Sequence, residues 1–277
     1  MAAELDQRLL DEVVALLRGR RIVALSGAGM STDSGIPDYR SAGAPVRQPM
    51  TYQELVSGPD AQRRYWARSY VGWSTMAHAA PNAGHRALAE LEAAGVLHGL
   101  ITQNVDGLHS AAGSRAVIDL HGRIDTVVCL DCRRTSPRLD LQERLAALNP
   151  GFGADAAVNP DGDAELDDAL VERFVLAPCQ RCGGPLKPDV VFFGENVPRE
   201  RVTRAYALVD AMRGGGALLV AGSSLTVMSG LRFVRHAHKL GVPVVIVNRG
   251  ATRGDPLATE LVDAGCSDVL PALAAAC

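Results

Sequence analysis

The residues of this 277-residue chain that could do chemistry are gathered in a few short clusters, and its six cysteines are the most telling. Four of them form two pairs, Cys129-x-x-Cys132 and Cys179-x-x-Cys182, with 46 residues between the pairs. Each pair offers two thiolates from one turn, and two such turns complete a tetrahedral Zn²⁺ shell. The gap exceeds usual zinc-ribbon spacing, so an insertion lies within the module. Four protein ligands leave no open coordination position, which predicts a structural ion rather than a catalytic one.

A second cluster, Gly27-Ala-Gly-Met-Ser-Thr-Asp-Ser-Gly35, follows a short apolar run and has the form of a dinucleotide phosphate turn. Glycines there permit a tight turn and let backbone N–H groups approach a pyrophosphate at a helix N-terminus. Thr32 stands where the third glycine of G-x-G-x-x-G belongs, so a plain glycine loop is the alternative. The turn continues as Ile36-Pro-Asp-Tyr-Arg40, which no dinucleotide fingerprint requires. Among the seven histidines, His78, His85, His98, His236 and His238 lie on or beside predicted helices or loops and read as solvated or structural. His109 follows the Gln103–Asp106 cluster and supports it. His121 is the candidate base, because an imidazole with an ordinary pKa of about 6.5 can take a proton at neutral pH.

The elements that must position these residues alternate. Leu5, Leu9, Leu10, Val13, Leu16 and Leu17 recur at helical spacing, giving a first helix that ends near Gly19. Strands are predicted over 21–26, 97–102, 116–120, 190–193, 217–221 and 242–247. Helices are predicted from the N-cap Asn82 through Ala94, over 199–212 and over 229–240. The polar stretch 122–188 reads as a small second lobe. Strands alternating with helices indicate an α/β fold, a parallel sheet covered on both faces. Five predicted strands end in polar or glycine-rich clusters: Ser26–Gly29, Thr102–Asp106, His121-Gly122, Gly222–Ser224 and Asn248. Ligands of open parallel sheets bind beyond the strand carboxyl ends, so five such clusters on one edge describe a site.

Composition narrows the classes. The 28 basic and 31 acidic residues give a formal charge of -3, which argues against nucleic acid as a partner. Only Lys187 and Lys239 are lysine; the arginine excess reads as genome composition. No run of about 18 uncharged apolar residues exists, which argues against a membrane span. The N-terminal stretch carries Glu4, Asp6, Asp11 and Glu12 and has no signal-peptide core, so the cytoplasm, with reduced thiols, is expected. The sequence sets no oligomeric state.

These stretches, with Lys187-Pro-Asp-Val-Val-Phe-Phe-Gly-Glu195, Gly222-Ser-Ser-Leu225 and Val247-Asn248, occur in an order that resembles the sirtuin family over nearly the whole chain. Arg64-Tyr-Trp-Ala-Arg68, Val71-Gly-Trp73, Leu141-Gln-Glu-Arg144, Leu148-Asn-Pro150 and Pro160-Asp-Gly-Asp163 look like its class II branch, nearest the mitochondrial sirtuin-four type, here in a bacterial or processed form. The resemblance implies an NAD-dependent protein-lysine deacylase that moves the acyl group to ADP-ribose and releases nicotinamide. It implies a Rossmann-type domain of residues 1–40, 86–122 and 190–277, a helical module of 41–85 and a zinc module of 123–189.

Carried over residue by residue, the resemblance implies NAD contacts from Gly27, Ala28, Gly29, Ser31, Asp38, Tyr39, Arg40, Gln103, Asn104, Val105, Asp106, Gly222, Ser223, Ser224, Asn248 and Cys266. His121, Asn104 and Asp106 would be catalytic. Acyl-lysine protein substrates would pair as an extended strand with Val191, Phe193, Gly194 and Glu195. Tyr65 and Arg68 have the spacing with which one class II member holds acidic acyl groups, and a guanidinium fork suits a carboxylate. A solvated helix face is the alternative for Arg68. Ala221, Ser223 and Tyr39 depart from the commoner family pattern. Two other functions stay open: protein mono-ADP-ribosyl transfer, and a non-catalytic NAD-binding or zinc interaction module. Cys277 has no evident role.

Overall fold

The computed structural model describes residues 7–36, 49–152 and 166–277. Its strands, in chain order, are β1 (Arg21–Ser26), β2 (Leu97–Thr102), β3 (Val117–Asp119), β4 (Gly122–Cys129), β5 (Thr135–Pro137), β6 (Leu186–Val190), β7 (Gly216–Ala221), β8 (Val244–Val247) and β9 (Glu260–Val262). Six of them form one sheet in the order β3-β2-β1-β7-β8-β9, every pair parallel. This is the doubly wound order of dinucleotide-binding folds, with its crossover point between β1 and β7. The other three form a small antiparallel sheet, β5-β4-β6.

The helices are α1 (Gln7–Leu17), α2 (Tyr52–Leu55), α3 (Pro59–His78), α4 (Ala83–Ala93), α5 (Leu108–Ala111), α6 (Arg138–Leu148), α7 (Asp168–Glu172), α8 (Arg199–Asp210), α9 (Met228–Lys239) and α10 (Cys266–Ala276). Successive side chains of β1 point to opposite faces, and both faces are covered. Ile22 and Ala24 pack with α1, α4 and α10, whereas Val23 and Leu25 pack with α8 and α9. A third core joins Trp66 and Ala67 of α3 to Val127 and Cys129 of β4 and Leu141 and Leu145 of α6. The predicted cap at Asn82 is present: its side chain accepts from the His85 N–H, and the His85 ring accepts from the Asn82 N–H.

Sequence and structure part in the middle of the chain. The strand expected at 190–193 lies at Leu186–Val190 instead, on the edge of the small sheet, where Pro188 costs no essential ladder bond. The apolar run after it gives up strand pairing: the Val191 N–H donates to the His121 carbonyl, and Gly194, at φ +79, turns the chain away. The polar stretch 122–188 contains β4, β5, α6 and α7, which lack the continuous apolar signal of the large sheet. The terminal β9 and α10 also escaped the periodicity reading, α10 because Pro271 and alanines blur it.

The turn after β1 and the end of β7 touch backbone to backbone. Gly29 N–H donates to the Gly222 carbonyl at 2.8 Å, and a Cβ on Gly222 would collide with the Met30 nitrogen and the Gly29 carbonyl carbon. Gly222 also sits at φ +62. Gly222→Ala should therefore destabilise the chain by about 2 kcal/mol or more. Gly19→Ala, at φ +73 but with open space around it, should cost only about 1 kcal/mol. Urea unfolding of both variants checks the contrast; equal losses would remove the steric argument.

Candidate active site

Parallel register brings the five polar clusters to one edge. Ser26 lies opposite Thr102 and Ala221, Thr102 opposite Asp119, and Ala221 opposite Val247, so the loops beyond them open into one crevice. Ser31 donates to Asp106 Oδ2 at 2.7 Å, and the Asn104 amide donates to both Ser31 Oγ and the Gly27 carbonyl at 3.0 Å. Asp106 Oδ1 accepts the Leu108 N–H, so both carboxylate oxygens are held. Gln103 Nε2 donates to Ser223 Oγ at 2.8 Å, joining the β2 and β7 loops. The Val105 carbonyl accepts the Ile124 N–H, which ties this loop to β4.

His121 follows β3 and has its ring gripped at both nitrogens. Nδ1 lies 2.8 Å from the Gln103 carbonyl and Nε2 lies 2.8 Å from Ser229 Oγ. A carbonyl only accepts, so Nδ1 carries the hydrogen and Nε2 is the proton acceptor. Burial pushes the His121 pKa below the ordinary imidazole value; Arg201 and Arg232 push the same way, against the bond to Gln103. At neutral pH the ring is uncharged, as a base must be.

The glycine-rich turn differs from expectation in two respects. It leads into two short 3₁₀ turns, Ala28–Met30 and Thr32–Ser34, rather than an α-helix. The N–H groups of Gly27, Gly29, Met30 and Ser31 already donate within the protein, so its glycines serve the close approach of β7. Asn248 folds its amide back onto the Arg249 and Gly250 carbonyls, and Ser224 Oγ lies 3.1 Å from Thr226. Cys266 begins α10 beneath the sheet edge, where burial pushes its thiol up to about 12. Asp38, Tyr39 and Arg40 lie outside the described residues.

The four paired cysteines converge. Their sulfurs all lie within 4.8 Å of one another, with Cys129–Cys182 at 3.5 Å and Cys132–Cys179 at 3.8 Å. A zinc ion with bonds of about 2.3 Å needs sulfurs about 3.8 Å apart, so the cluster fits it. Both knuckles are built alike. The first cysteine N–H donates five residues on, to Arg134 or Gly184, and its carbonyl accepts from four residues on, Arg133 or Gly183.

A Sir2 family model matches residues 27–229. The chain is 56% identical over 269 residues to an NAD-dependent protein deacetylase 1 of Mycobacterium avium, covering 95% of this chain and 94% of that one. It is 58% identical over 256 residues to an NAD-dependent protein deacetylase 1 of Streptomyces coelicolor, covering 91% and 85%. This chain is a sirtuin, a member of the Sir2 family. Among solved structures it resembles a Sir2–p53 peptide–NAD+ complex at TM-score 0.76 and 30% identity, covering 94% of this chain and 95% of that one. It also resembles Sir2Af2 bound to a myristoylated histone peptide, at TM-score 0.69 and 26% identity, covering 98% and 97%.

The segment after β6 borders the sirtuin's crevice. Besides the Val191 bond to His121, the Phe193 carbonyl accepts the Tyr52 N–H at 2.9 Å, and Gln53 packs against Gly194. Glu195 accepts from the Phe192 N–H and pairs with Lys187 at 3.1 Å. Phe193 is half exposed. Tyr65 of α3 packs edge-on against Phe192 at 5.3 Å. Arg68, one turn along, is half-buried, and its Nε lacks a hydrogen-bond partner.

Two further histidines lie under the crevice. His109 Nε2 meets Ser26 Oγ at 2.8 Å; that hydroxyl donates to Thr102, which in turn accepts the Asn104 N–H. The His85 ring lies 4.7 Å from the His109 ring, tilted 57° to it. Neither depth was legible in the sequence, because both residues sit on polar-looking segments. Burial lowers the His85 pKa to about 4 and the His109 pKa to about 3.

Folded His109 thus stays neutral where the unfolded chain, near 6.5, takes a proton. Stability is lost as pH falls below 6.5, by about 1.4 kcal/mol per unit for such a group. Urea unfolding at pH 7 and pH 5 should show a smaller loss for His109→Gln than for wild type. Cys129→Ala should lose zinc and unfold the small lobe while the crevice residues stay chemically intact. Metal analysis with thermal melting checks this; a zinc-free, fully active variant would contradict a structural metal.

Proposed function

We propose that this sirtuin is an NAD-dependent protein-lysine deacylase, transferring the acyl group of a modified lysine to ADP-ribose with release of nicotinamide. The observation that carries the reading is His121: a neutral imidazole whose acceptor nitrogen is set in the same crevice as the Ser31–Asn104–Asp106 network. The naming of the bacterial relatives supports it. When bound, NAD supplies a ribose carbon made electrophilic by its nicotinamide leaving group.

The protein's part is positioning and proton transfer. Asn104 spends both amide hydrogens on Gly27 and Ser31, leaving Oδ1 as the acceptor it offers to a carboxamide. Asp106, clamped at both oxygens, fixes that geometry. His121 Nε2 takes the proton of a ribose hydroxyl. Gly27, Ala28, Gly29, Ser31, Gln103, Val105, Gly222, Ser223, Ser224, Asn248 and Cys266, with Asp38, Tyr39 and Arg40, would surround the dinucleotide. The substrate backbone would add as a strand beside Val191, Phe193, Gly194 and Glu195. A zinc ion on the four cysteines would hold the small lobe together.

We further assign the chain to the class II branch, nearest the sirtuin-four type, on its Arg64–Arg68 and Val71–Trp73 stretches. Its working parts would be residues 1–40, 86–122 and 190–277 for NAD, 41–85 as helical module and 123–189 for zinc. Two cysteine pairs spaced and clustered for a metal rather than for disulfides support a cytoplasmic setting. Arg68, beside Tyr65 and with its Nε unpaired, would meet the distal carboxylate of an acidic acyl chain.

Mass spectrometry of acetyl-, succinyl- and glutaryl-lysine peptides with labelled NAD should yield free lysine and O-acyl-ADP-ribose. Label kept on protein would favour ADP-ribosyl transfer instead. His121→Ala should lose at least about a hundredfold in turnover. Equal slow turnover by wild type and His121→Ala would point to a non-catalytic module. An Arg68→Met variant with the wild-type acyl profile would remove Arg68 from the pocket.

A further inference from the structure

The crevice contains one side chain that neither the motifs nor the family pattern singled out. Ser229, near the start of α9, is 9% exposed, and its Oγ lies 2.8 Å from His121 Nε2. The opposite ring nitrogen is already committed as a donor to the Gln103 carbonyl. The serine is therefore the donor at Nε2, and its hydrogen occupies the lone pair that the base needs.

We propose that Ser229 is a positioning residue for His121, holding the Nε2 lone pair on its working line and yielding it to a substrate hydroxyl. The inference rests on the reading of His121 as base. Three features carry it beyond the single bond. The start of α9 lies close against the Gln103 side chain, since a Cβ on Gly230 would stand 2.5 Å from Gln103 Oε1, and that amide is itself bonded to Ser223 Oγ. The same β2 loop thus supplies one partner of the imidazole and packs against the helix start that supplies the other. With Nδ1 and Nε2 both bonded, the ring cannot turn about its Cβ–Cγ bond without losing two hydrogen bonds in a buried setting, at roughly 1 kcal/mol or more each.

Release, by contrast, is easy. A serine hydroxyl swings away by rotation about one bond, with no movement of the helix. A sugar hydroxyl arriving at Nε2 replaces the serine hydroxyl donor for donor, so the imidazole stays hydrogen-bonded throughout. The charged groups around the ring act in the same sense. Arg201 from α8 and Arg232 from α9 both disfavour a second proton on His121, so the bond that Ser229 makes is to the neutral ring.

Two readouts test this, one of them without NAD. In the ligand-free protein, the ¹⁵N resonance of His121 Nε2 should move toward the value of an unbonded imidazole nitrogen in Ser229→Ala and return in Ser229→Thr. In turnover, Ser229→Ala should lose about tenfold in kcat, the worth of one well-placed hydrogen bond, with KM for peptide and NAD changed less than about twofold. Ser229→Thr, which keeps the hydroxyl, should recover to within about threefold of wild type. An unchanged Nε2 resonance, or an unchanged kcat, in Ser229→Ala overturns the proposal. So does a threonine variant that melts like wild type yet stays slow, which also decides the matter if the alanine variant folds poorly. His121→Ala run alongside separates the two claims. If it keeps full turnover, the base reading falls; if it is inactive while Ser229→Ala is normal, only the role of Ser229 falls.

Discussion

The crevice depends on the backbone contact between the turn after β1 and the end of β7. Gly29 and Gly222 meet with a 2.8 Å hydrogen bond at a distance that admits no Cβ on Gly222. That contact closes the crossover point of the sheet, where adjacent strands lead their chains in opposite directions and open a gap. Every other element of the site refers to it. Asn104 reaches back to the Gly27 carbonyl, Gln103 bridges to Ser223, and Ser31 turns its hydroxyl to Asp106. The glycines of the turn thus serve the protein's own packing, and the cavity they leave is a consequence.

The small lobe is fastened to this centre through one ladder. β4 begins at Gly122, directly after His121, and ends at Cys129; β6 pairs with it, Leu186 opposite Cys129 and Val190 opposite Gly122. A metal-type cluster therefore sits at one end of the ladder and the base at the other, about 13 Å apart along the β6 side at 3.3 Å per residue, because β4 bulges between Arg123 and Val127. At that distance a closed four-thiolate site acts through rigidity: it holds the two strands in register, and the register delivers the Val191 N–H to the His121 carbonyl. The ion pair between buried Lys187 and half-buried Glu195 braces the same segment, with Lys187 also bonded to the Pro188 and Val190 carbonyls.

Electrostatics in the crevice favour neutral imidazoles. His85, His109 and His121 all have depressed pKa values, with burial the leading cause in each. The hydrogen-bond partners then decide which nitrogen holds the single proton. A carbonyl selects Nδ1–H for His121, and a backbone N–H selects Nε2–H for His85. The site is prepared for proton transfer by tautomer choice, a device that leaves little mark on net charge or motif.

The legible parts of this chain were those whose signal is local. Short apolar runs foretold the parallel sheet, because its central strands β1, β2, β7 and β8 are buried on both faces, and the strand ends foretold the crevice. Paired cysteines foretold the cluster, since metal geometry requires two turns with two thiols each. The polar stretch 122–188 hid β4 and α6, because their core is shared with α3 across a long separation in sequence. Thus the residue types and spacings alone determined the fold class, the cysteine cluster and the place of His121. Which nitrogen of that histidine accepts a proton, which serine faces it from 108 residues away, and which glycines serve packing were decided only in three dimensions. Those features are contacts between strands and helices far apart in the chain, and they exist only once the sheet has set their register.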